Sequence, residues 1–282
     1  MIRTRLAPSP TGALHLGHAF SALTAWDLAG PEGAFLLRIE DIDRARCRPA
    51  HETAILEDLR WLGLGWPHPP MRQSDRGAAY AEALDRLGAL GLLYPCSCTR
   101  ADIRAALSAP QEGAAPGDPA YPGTCRGRPL SDRRPGDALR LDLAAALAHP
   151  LARGPLDIIE TGPEHTGRHD ARALLAGTGD LVLARRDLGT AYHLAVVVDD
   201  AAQAITHVVR GADLWEATAT HRLLQALLGL PAPVWHHHRL IRDATGKRLA
   251  KRDDARALAT LRGEGATPED IRRMVGLAPV SA

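Results

Sequence analysis

The chain has 282 residues, of which 45% are hydrophobic and 24% are charged, a composition typical of globular proteins and unlike that of disordered chains. Its 34 basic and 33 acidic side chains nearly cancel, which excludes a uniformly basic coat for nucleic acid. No apolar run reaches the ~20 residues of a membrane-spanning helix, and no secretory peptide is visible. Four cysteines do not make a disulfide scaffold. We therefore expect a cytoplasmic protein without membrane association.

The N-terminal third alternates predicted strands and helices. Residues 2–7 and 34–39 have strand patterns, and the second of these is apolar throughout most of its length. Apolar residues at helical spacing predict helices over 16–29, over 49–62 and around 80–87. This alternation favours an α/β fold, in which a parallel sheet is connected by crossover helices.

The middle of the chain is different, because residues 110–129 contain nine prolines or glycines and fit no regular element. We expect an insertion between two halves of a core. Strands at 180–184, 191–198, 205–209 and 234–241 and a helix at 220–228 are predicted to continue that core. Two short helices follow near the C-terminus, and Thr267 is the predicted N-cap of the second.

A histidine pair, His15 and His18, opens the first predicted helix at the end of a loop rich in proline and glycine. The free N–H groups and dipole of a helix N-terminus attract anions, and Gly17 allows another group to approach the backbone closely. We therefore expect the two histidines to bind a phosphate group. Zinc binding by the same pair is a weaker interpretation, since no third ligand lies nearby.

Lysine occurs only at Lys247 and Lys251, although the chain has 34 lysines and arginines in total. Lysine is not interchangeable with arginine where a compact ammonium group must meet a phosphate. Both lysines lie in a basic segment, 239–252, which could close on a triphosphate and stabilise developing charge. A solvated run of charges is the alternative interpretation.

These two motifs resemble the signatures of class I aminoacyl-tRNA synthetases. Residues 15–18 are similar to the HIGH motif, and residues 248–252 to a variant KMSKS loop. The resemblance extends over about residues 3–275 and is closest to the glutamyl branch. The segments that carry it are RLAPSPTG at 5–12, RIED at 38–41, YPCSC at 94–98 and VRGAD at 209–213.

Chain length distinguishes the families within the glutamyl branch. Only about 30 residues follow the lysine segment, too few for the anticodon-binding region of a discriminating glutamyl-tRNA synthetase. The chain therefore resembles the truncated family of glutamyl-queuosine tRNA(Asp) synthetases. That resemblance implies activation of L-glutamate by ATP without tRNA, and transfer of glutamate to queuosine in the anticodon of tRNA(Asp). A shortened enzyme that charges a tRNA 3′ end and a non-catalytic RNA- or amino-acid-binding relic are the alternatives.

The same resemblance implies an architecture. A Rossmann-like catalytic domain with a parallel sheet would be formed by residues 1–94 and 179–241, interrupted by an acceptor-like, zinc-containing subdomain at 95–178. Residues 242–282 would form the KMSKS-like loop and a short helical region that contacts the tRNA stem, with no anticodon-binding domain. We expect a monomer.

Glutamate has two carboxylates and one ammonium group, so a selective pocket needs cations and at least one anion. Arg5 and Arg210 lie at predicted strand ends, where open α/β sheets bind ligands. The resemblance implies that both hold substrate carboxylates, without assigning either one, and that Glu40 holds the ammonium group. The further glutamate-binding residues that it implies are Ala7, Ser9 and Tyr192. A packing role for Tyr192 is nearly as well supported.

For ATP, the resemblance implies that His15, His18 and Lys251 are catalytic. The ATP-binding set that it implies is His15, Gly17, His18, Arg248, Leu249 and Lys251, with Mg²⁺ accompanying the nucleotide. The segment departs from the family pattern twice, with Arg248 in place of the usual first lysine and Ala250 in place of serine. Lys247 is a candidate substitute for that first lysine.

Cys96, Cys98 and Cys125 flank the segment rich in proline and glycine. Spacing alone suggests a structural zinc site with three thiolates and an unknown fourth ligand. The resemblance names Tyr121 as that ligand. Three reduced cysteines without a metal are the alternative.

The run His236–His238 could suggest a further metal site. Neighbouring residues on a strand point to opposite faces, so only two of these histidines share a side. Two ligands do not make a site, and we expect a structural or RNA-facing role.

Overall fold

The computed structural model of the protein describes residues 1–103, 121–186, 189–241 and 257–279. The strands are β1 (Arg3–Leu6), β2 (Ala34–Ile39), β3 (Met71–Arg72), β4 (Leu93–Cys96), β5 (Ala138–Leu141), β6 (Asp157–Glu160), β7 (Gly167–Asp170), β8 (Leu181–Ala184), β9 (His207–Gly211) and β10 (Val234–His238). The α-helices are α1 (Leu16–Ala29), α2 (Pro49–Trp61), α3 (Gly77–Ala89), α4 (Leu143–Ala148), α5 (Ala171–Leu175), α6 (Tyr192–Ala202), α7 (Trp215–Leu228), α8 (Leu258–Gly263) and α9 (Pro268–Met274).

Parallel pairing dominates the two sheets that contain β1 and β10. Strands β1, β2 and β3 form one parallel sheet, and β9, β10 and β6 form another, to which β7 adds in antiparallel orientation. The two sheets adjoin where the Thr206 N–H donates to the Arg3 carbonyl at 3.0 Å, just before β9. The predicted α/β fold with a parallel sheet and crossover helices is confirmed.

The third sheet is antiparallel, with β5 between β4 and β8. Strand β4 ends at Cys96 and so brings the first predicted metal ligand to the edge of this sheet. The domain boundaries at 94, 178 and 241 stay predictions. Strand β6, on the insertion side of the second boundary, pairs with β10 through Glu160 and Trp235.

One large core lies between helix α7 and the sheets. Leu223 and Leu224 of α7 are fully buried, and Trp235 of β10 is only 1% exposed. Truncation of such a leucine to alanine costs about 2–5 kcal/mol. This core holds β9 and β10 in fixed register, with Arg210 opposite His237.

The predicted strand at 191–198 is wrong, because these residues belong mainly to helix α6. The valine run suggested a strand, but valine loses only about 0.7 kcal/mol of intrinsic preference in a helix. Burial of each side chain such as Leu194 and Val197 contributes about 1.5–3 kcal/mol, so tertiary packing outweighs local propensity. The helix carries Tyr192 at its first turn and Asp200 near its end.

The other predicted elements are confirmed with small shifts at their ends. Helix α1 has the predicted bounds, α7 begins earlier than predicted, and β10 ends earlier. The N-cap at Thr267 is present, and its side chain accepts from the Asp270 N–H while Asp270 bonds back to Thr267. Within the described residues, no helix combines the length and apolarity needed to cross a membrane.

Candidate functional site

A cavity of about 500 Å³ lies where the carboxyl ends of β1, β2 and β9 meet the start of α1. Parallel strands direct their carboxyl ends to one edge of a sheet, and ligands of open α/β folds bind there. The structure brings nine predicted site residues to this cavity. They are Arg5, Ala7, Ser9, His15, Gly17, His18, Glu40, Tyr192 and Arg210.

Arg5 is buried at the end of β1 and pairs with Asp200 of α6. Its Nε lies 2.9 Å from Asp200 Oδ1 and its Nη2 lies 3.4 Å from Oδ2. Arg38 donates to the same Oδ1 at 2.8 Å. Burial alone would raise the pKa of Asp200, but the charges and hydrogen bonds of Arg5 and Arg38 hold it below its usual value. Asp200 therefore stays ionised and fixes both guanidinium groups.

Glu40 follows β2 and keeps 15% of its side chain exposed in the cavity. Its backbone N–H donates to the Pro8 carbonyl at 3.0 Å, which ties the end of β2 to the loop that follows β1. Burial raises the pKa of Glu40 to about 7, although Arg38 and Arg5 pull it downward. Its carboxylate is thus available to a cation at neutral pH and above.

Arg210 is 5% exposed at the end of β9 and faces the same cavity. Its Nε donates to His237 Nε2 at 3.0 Å, its Nη2 donates to Thr218 Oγ1 at 2.7 Å, and its Nη1 lies 3.1 Å from His221 Nδ1. Each of these three partner atoms belongs to an uncharged side chain at neutral pH, since burial lowers the pKa of both histidines.

The guanidinium charges of Arg5 and Arg210 are only partly offset by their neighbours. Arg5 shares the carboxylate of Asp200 with Arg38, and Arg210 bonds uncharged side chains. Both groups line the cavity, so either one can pair with a carboxylate of a bound molecule.

The histidine pair caps helix α1. His15 is the N-cap and its Nδ1 accepts from the Gly17 N–H at 3.1 Å, while His18 Nδ1 accepts from the His15 N–H at the same distance. Since each Nδ1 is an acceptor, each neutral ring carries its proton on Nε2 and can donate it to another group. The rings are 3.9 Å apart between centroids and both line the cavity, so two donors and a helix N-terminus converge on it.

The predicted ATP-binding residues Arg248, Leu249 and Lys251 lie outside the described residues. The described residues on either side of them are close to the cavity. Ile241 lines it, and Ala257 forms an antiparallel β-bridge with His15.

The predicted metal ligands come together at the end of β4. The Sγ atoms of Cys96, Cys98 and Cys125 all lie within 4.8 Å of one another. The Tyr121 hydroxyl lies 3.4 Å from Cys96 Sγ and 3.5 Å from Cys98 Sγ. Tetrahedral zinc with bonds of about 2.3 Å to sulfur and 2.0 Å to oxygen separates its ligands by roughly these distances. The four side chains therefore fit such an ion.

The pKa values of the thiols favour a bound cation at Cys125 but not at Cys98. Burial would raise the pKa of the Cys125 thiol, but hydrogen bonds from Tyr121, from the Ser97 backbone and from the other two thiols lower it to about 6. Cys98 behaves differently, since burial raises its pKa to about 11. A cation would have to displace the proton of Cys98.

Sequence reasoning missed several residues that line or support the cavity. Ser21 lies one helical turn after His18 and its hydroxyl is 2.6 Å from His238 Nε2. Asp213 and His238 also line the cavity. The helical spacing of Ser21 from His18 could have revealed it, whereas Asp200 was hidden by the wrong strand prediction.

Comparison with known proteins places this geometry in a family. The chain matches the family model described as the catalytic domain of class I tRNA synthetases (E and Q) over residues 1–135 and 171–282. The glutamyl-Q tRNA(Asp) synthetase of Rhodobacter capsulatus is 58% identical, covering 97% of this chain and 99% of that protein. That of Symbiobacterium thermophilum is 44% identical, covering 96% of this chain and 84% of that protein.

Solved structures agree with the fold. A glutamate tRNA ligase from Elizabethkingia meningosepticum, in complex with its amino acid, is 27% identical with a TM-score of 0.73. The match covers 97% of this chain but only 60% of that longer chain. A methionyl-tRNA synthetase from Mycobacterium tuberculosis, 13% identical with a TM-score of 0.63, shares the fold. The chain belongs to the glutamyl-Q tRNA(Asp) synthetases, within the class I tRNA synthetases (E and Q).

Proposed function

We propose that the protein activates L-glutamate with ATP, without tRNA, and transfers the glutamate to queuosine in the anticodon of tRNA(Asp). The observation that carries this proposal is the single cavity in which Arg5, Arg210 and Glu40 lie beside the histidine-capped start of α1. The relationship to the Rhodobacter capsulatus protein supports the acceptor.

In the first step, a carboxylate oxygen of glutamate attacks the α-phosphorus of ATP, and pyrophosphate leaves with the electrons of the broken P–O bond. Arg5 and Arg210 hold the carboxylates of glutamate, and ionised Glu40 holds its ammonium group. Ser9 and Tyr192 contribute polar contacts, and Ala7 leaves room beside them. The protein thus positions the reactants and stabilises charge.

The nucleotide lies against His15, Gly17 and His18. The Nε2–H groups of the two histidines donate to phosphate oxygens near the positive end of the α1 dipole. Lys251, Arg248 and Leu249 lie outside the described residues and complete the proposed ATP-binding set, with the ammonium group of Lys251 acting on the triphosphate. Mg²⁺ enters with ATP and offsets part of its charge.

In the second step, a hydroxyl oxygen of the queuosine cyclopentenediol attacks the carbonyl carbon of glutamyl-adenylate, and AMP leaves. One proton is released from the attacking hydroxyl. The product is an ester of glutamate with the modified base.

Cys96, Cys98, Tyr121 and Cys125 would hold a structural zinc ion. The ion would connect the end of β4 to the loop that carries Tyr121 and Cys125, and it takes no part in the proposed chemistry.

The deciding experiment measures glutamate-dependent exchange between ATP and pyrophosphate with and without tRNA. We expect exchange without tRNA; its absence would contradict the proposed activation step and support a non-catalytic relic. Radioactive glutamate is then offered with tRNA(Asp) carrying queuosine, tRNA(Asp) lacking it, and tRNA(Glu). Nuclease digestion should place the label in the anticodon fragment of the first tRNA alone. Label at a 3′ terminus would instead establish a shortened enzyme of the ordinary charging type.

A further inference from the structure

We propose that Glu160 and His237 are positioning residues, which orient Arg210 in the cavity by fixing the imidazole nitrogen that accepts its hydrogen bond. This inference rests on the proposed function, because its kinetic consequence is weaker binding of glutamate. Neither residue lines the cavity, and both act through Arg210.

The hydrogen bond between Arg210 and His237 has only one possible direction. A guanidinium N–H can only donate, so His237 Nε2, 3.0 Å from Arg210 Nε, must carry no proton. The Thr218 hydroxyl lies 3.2 Å from the same nitrogen and can also donate to it. Burial lowers the pKa of His237, so the ring is neutral and its one proton is on Nδ1.

Glu160 holds the proton of His237 on Nδ1. Glu160 Oε2 lies 2.5 Å from His237 Nδ1, and both side chains are completely buried. Burial would raise the pKa of Glu160, but hydrogen bonds from the side chain and backbone of His237 and from the Gly162 backbone lower it. Glu160 is therefore an ionised acceptor, which fixes the tautomer of His237.

Backbone donors fix the orientation of Glu160 itself. Its other oxygen, Oε1, accepts the His237 backbone N–H at 2.8 Å and the Gly162 N–H at 2.6 Å. Gly162 is packed so closely that an added Cβ would lie 2.7 Å from Glu160 Oε1 and 2.6 Å from the His237 backbone nitrogen. Two backbone donors thus hold Oε1, and Oε2 is left to face the imidazole.

A second series of hydrogen bonds, through His221 and His193, also begins with Arg210 as the donor. His221 Nδ1 accepts from Arg210, so His221 carries its proton on Nε2, which lies 3.2 Å from His193 Nδ1. Burial lowers the pKa of His193 to about 4 and that of His221 well below its usual value. The arrangement holds Arg210 through three of its nitrogen atoms while leaving further N–H donors for the cavity.

The test uses Glu160→Gln, which preserves shape but reverses one hydrogen bond. The two backbone N–H groups require an acceptor, so the amide oxygen takes the place of Oε1 and the amide nitrogen faces His237 Nδ1. The imidazole proton must then move to Nε2, where it opposes the Arg210 N–H. We expect the KM for glutamate in pyrophosphate exchange to rise at least about tenfold, with kcat and the KM for ATP changed less than about twofold.

Nitrogen-15 NMR of the histidine side chains supplies a readout that a merely structural role would not move. In the wild type, Nε2 of His237 should have the chemical shift of an unprotonated imidazole nitrogen. In Glu160→Gln the unprotonated nitrogen should be Nδ1. An unchanged tautomer, or an unchanged KM for glutamate, would overturn the inference.

Two substitutions at His237 separate hydrogen bonding from packing. The amide oxygen of His237→Gln can still accept from Arg210 Nε, whereas His237→Phe offers no acceptor, so we expect a higher KM for glutamate in the phenylalanine variant. His236→Phe is the matched control. The His236 ring bonds Thr161 Oγ1 at 3.1 Å and not Arg210, so the KM for glutamate should stay near the wild-type value. If His237→Phe does not fold, the glutamine variants still decide the question.

Failure of the proposed function is distinguishable from failure of this inference. A wild-type protein without glutamate-dependent exchange would contradict the function alone. The tautomer measurement needs no turnover, and it tests the Glu160–His237 pair whatever the reaction is.

Discussion

Arg5 and Asp200, 195 positions apart in the chain, form a buried ion pair with 2.9 Å between Nε and Oδ1. The pair joins the end of β1 to the end of α6 and so connects the N-terminal and C-terminal halves of the fold beside the cavity. Asp200 also binds Arg38, so one carboxylate offsets the charge of two guanidinium groups.

Replacement of Asp200 by asparagine should therefore be severe. It leaves two buried cations without their anion, and loss of one partner of a buried pair costs about 3–5 kcal/mol. We expect the free energy of unfolding, measured with urea, to fall by that amount, and the KM for glutamate to rise at least about tenfold.

Asp199→Asn is the matched control for this variant. Asp199 is also buried but binds Gln73, Arg76 and Tyr80 instead of the cavity arginines. It should lower stability while leaving the KM for glutamate nearly unchanged. Equal effects of the two variants on that KM would contradict a specific role of Asp200.

The pH dependence of glutamate binding should reflect Glu40, whose pKa burial raises to about 7. The ammonium group of the substrate binds the ionised carboxylate, so below pH 7 the free enzyme must first lose a proton. The KM for glutamate should thus be constant above about pH 8 and rise about tenfold for each unit below about pH 6. Pyrophosphate exchange between pH 5.5 and 8.5 measures this.

Glu40→Gln provides the comparison. Its KM for glutamate should be high and independent of pH over the same range, because the amide does not titrate. A variant that kept the pH dependence of the wild type would show that another group causes it.

Substitution of Gly17 by alanine should affect ATP and not folding. The added Cβ would lie 2.9 Å from His15 Cε1 and 3.1 Å from His15 Nδ1, so the imidazole must move away from the start of α1. We expect a loss of about 1–2 kcal/mol in ATP binding, a five- to thirtyfold rise in its KM. The melting temperature should change little, since the better helix propensity of alanine and the loss of the His15 cap have opposite effects of about 1 kcal/mol each.

The glutamate KM serves as the internal control for Gly17→Ala and should change little. A fall in melting temperature together with equal losses for both substrates would instead indicate general damage to the helix.

Lys251 is predicted to act on the triphosphate although it lies outside the described residues. Lys251→Ala should lower the rate of pyrophosphate exchange by about two to three orders of magnitude, because it removes a cation that meets charge developing in the reaction. Lys251→Arg should recover only part of this rate, since a guanidinium differs from a compact ammonium group. A near-normal rate of pyrophosphate exchange in Lys251→Ala would contradict the assignment of Lys251 to the triphosphate.

The metal site is tested by measuring zinc content. We expect about one zinc ion per chain in the wild type, and loss of it in Cys125→Ala together with a lower melting temperature. Tyr121→Phe should retain zinc less firmly against a chelator, because it removes an oxygen ligand and leaves the three thiolates. Cys47→Ala, which lies outside the cluster, should behave as the wild type; a wild type without zinc would contradict the site.

The sequence by itself determined the strands and helices of the first third, since strong periodicity and clear end signals such as Gly30 after α1 are local properties. It also indicated which residues meet at the cavity, because Arg5, Glu40 and Arg210 each lie at or just after the carboxyl end of a parallel strand. Family resemblance added Tyr121, whose side chain does lie against two thiols.

Only the tertiary structure decided that residues 192–202 form a helix, since its packing against the core outweighs the preference of valine for strands. That helix brings Asp200 to Arg5, a contact that no local pattern encodes. The buried line from Glu160 through His237 to Arg210 likewise arises from the register of β6, β9 and β10. Hydrogen-bond direction in such a line depends on every neighbour at once, and the sequence specifies it only through the completed fold.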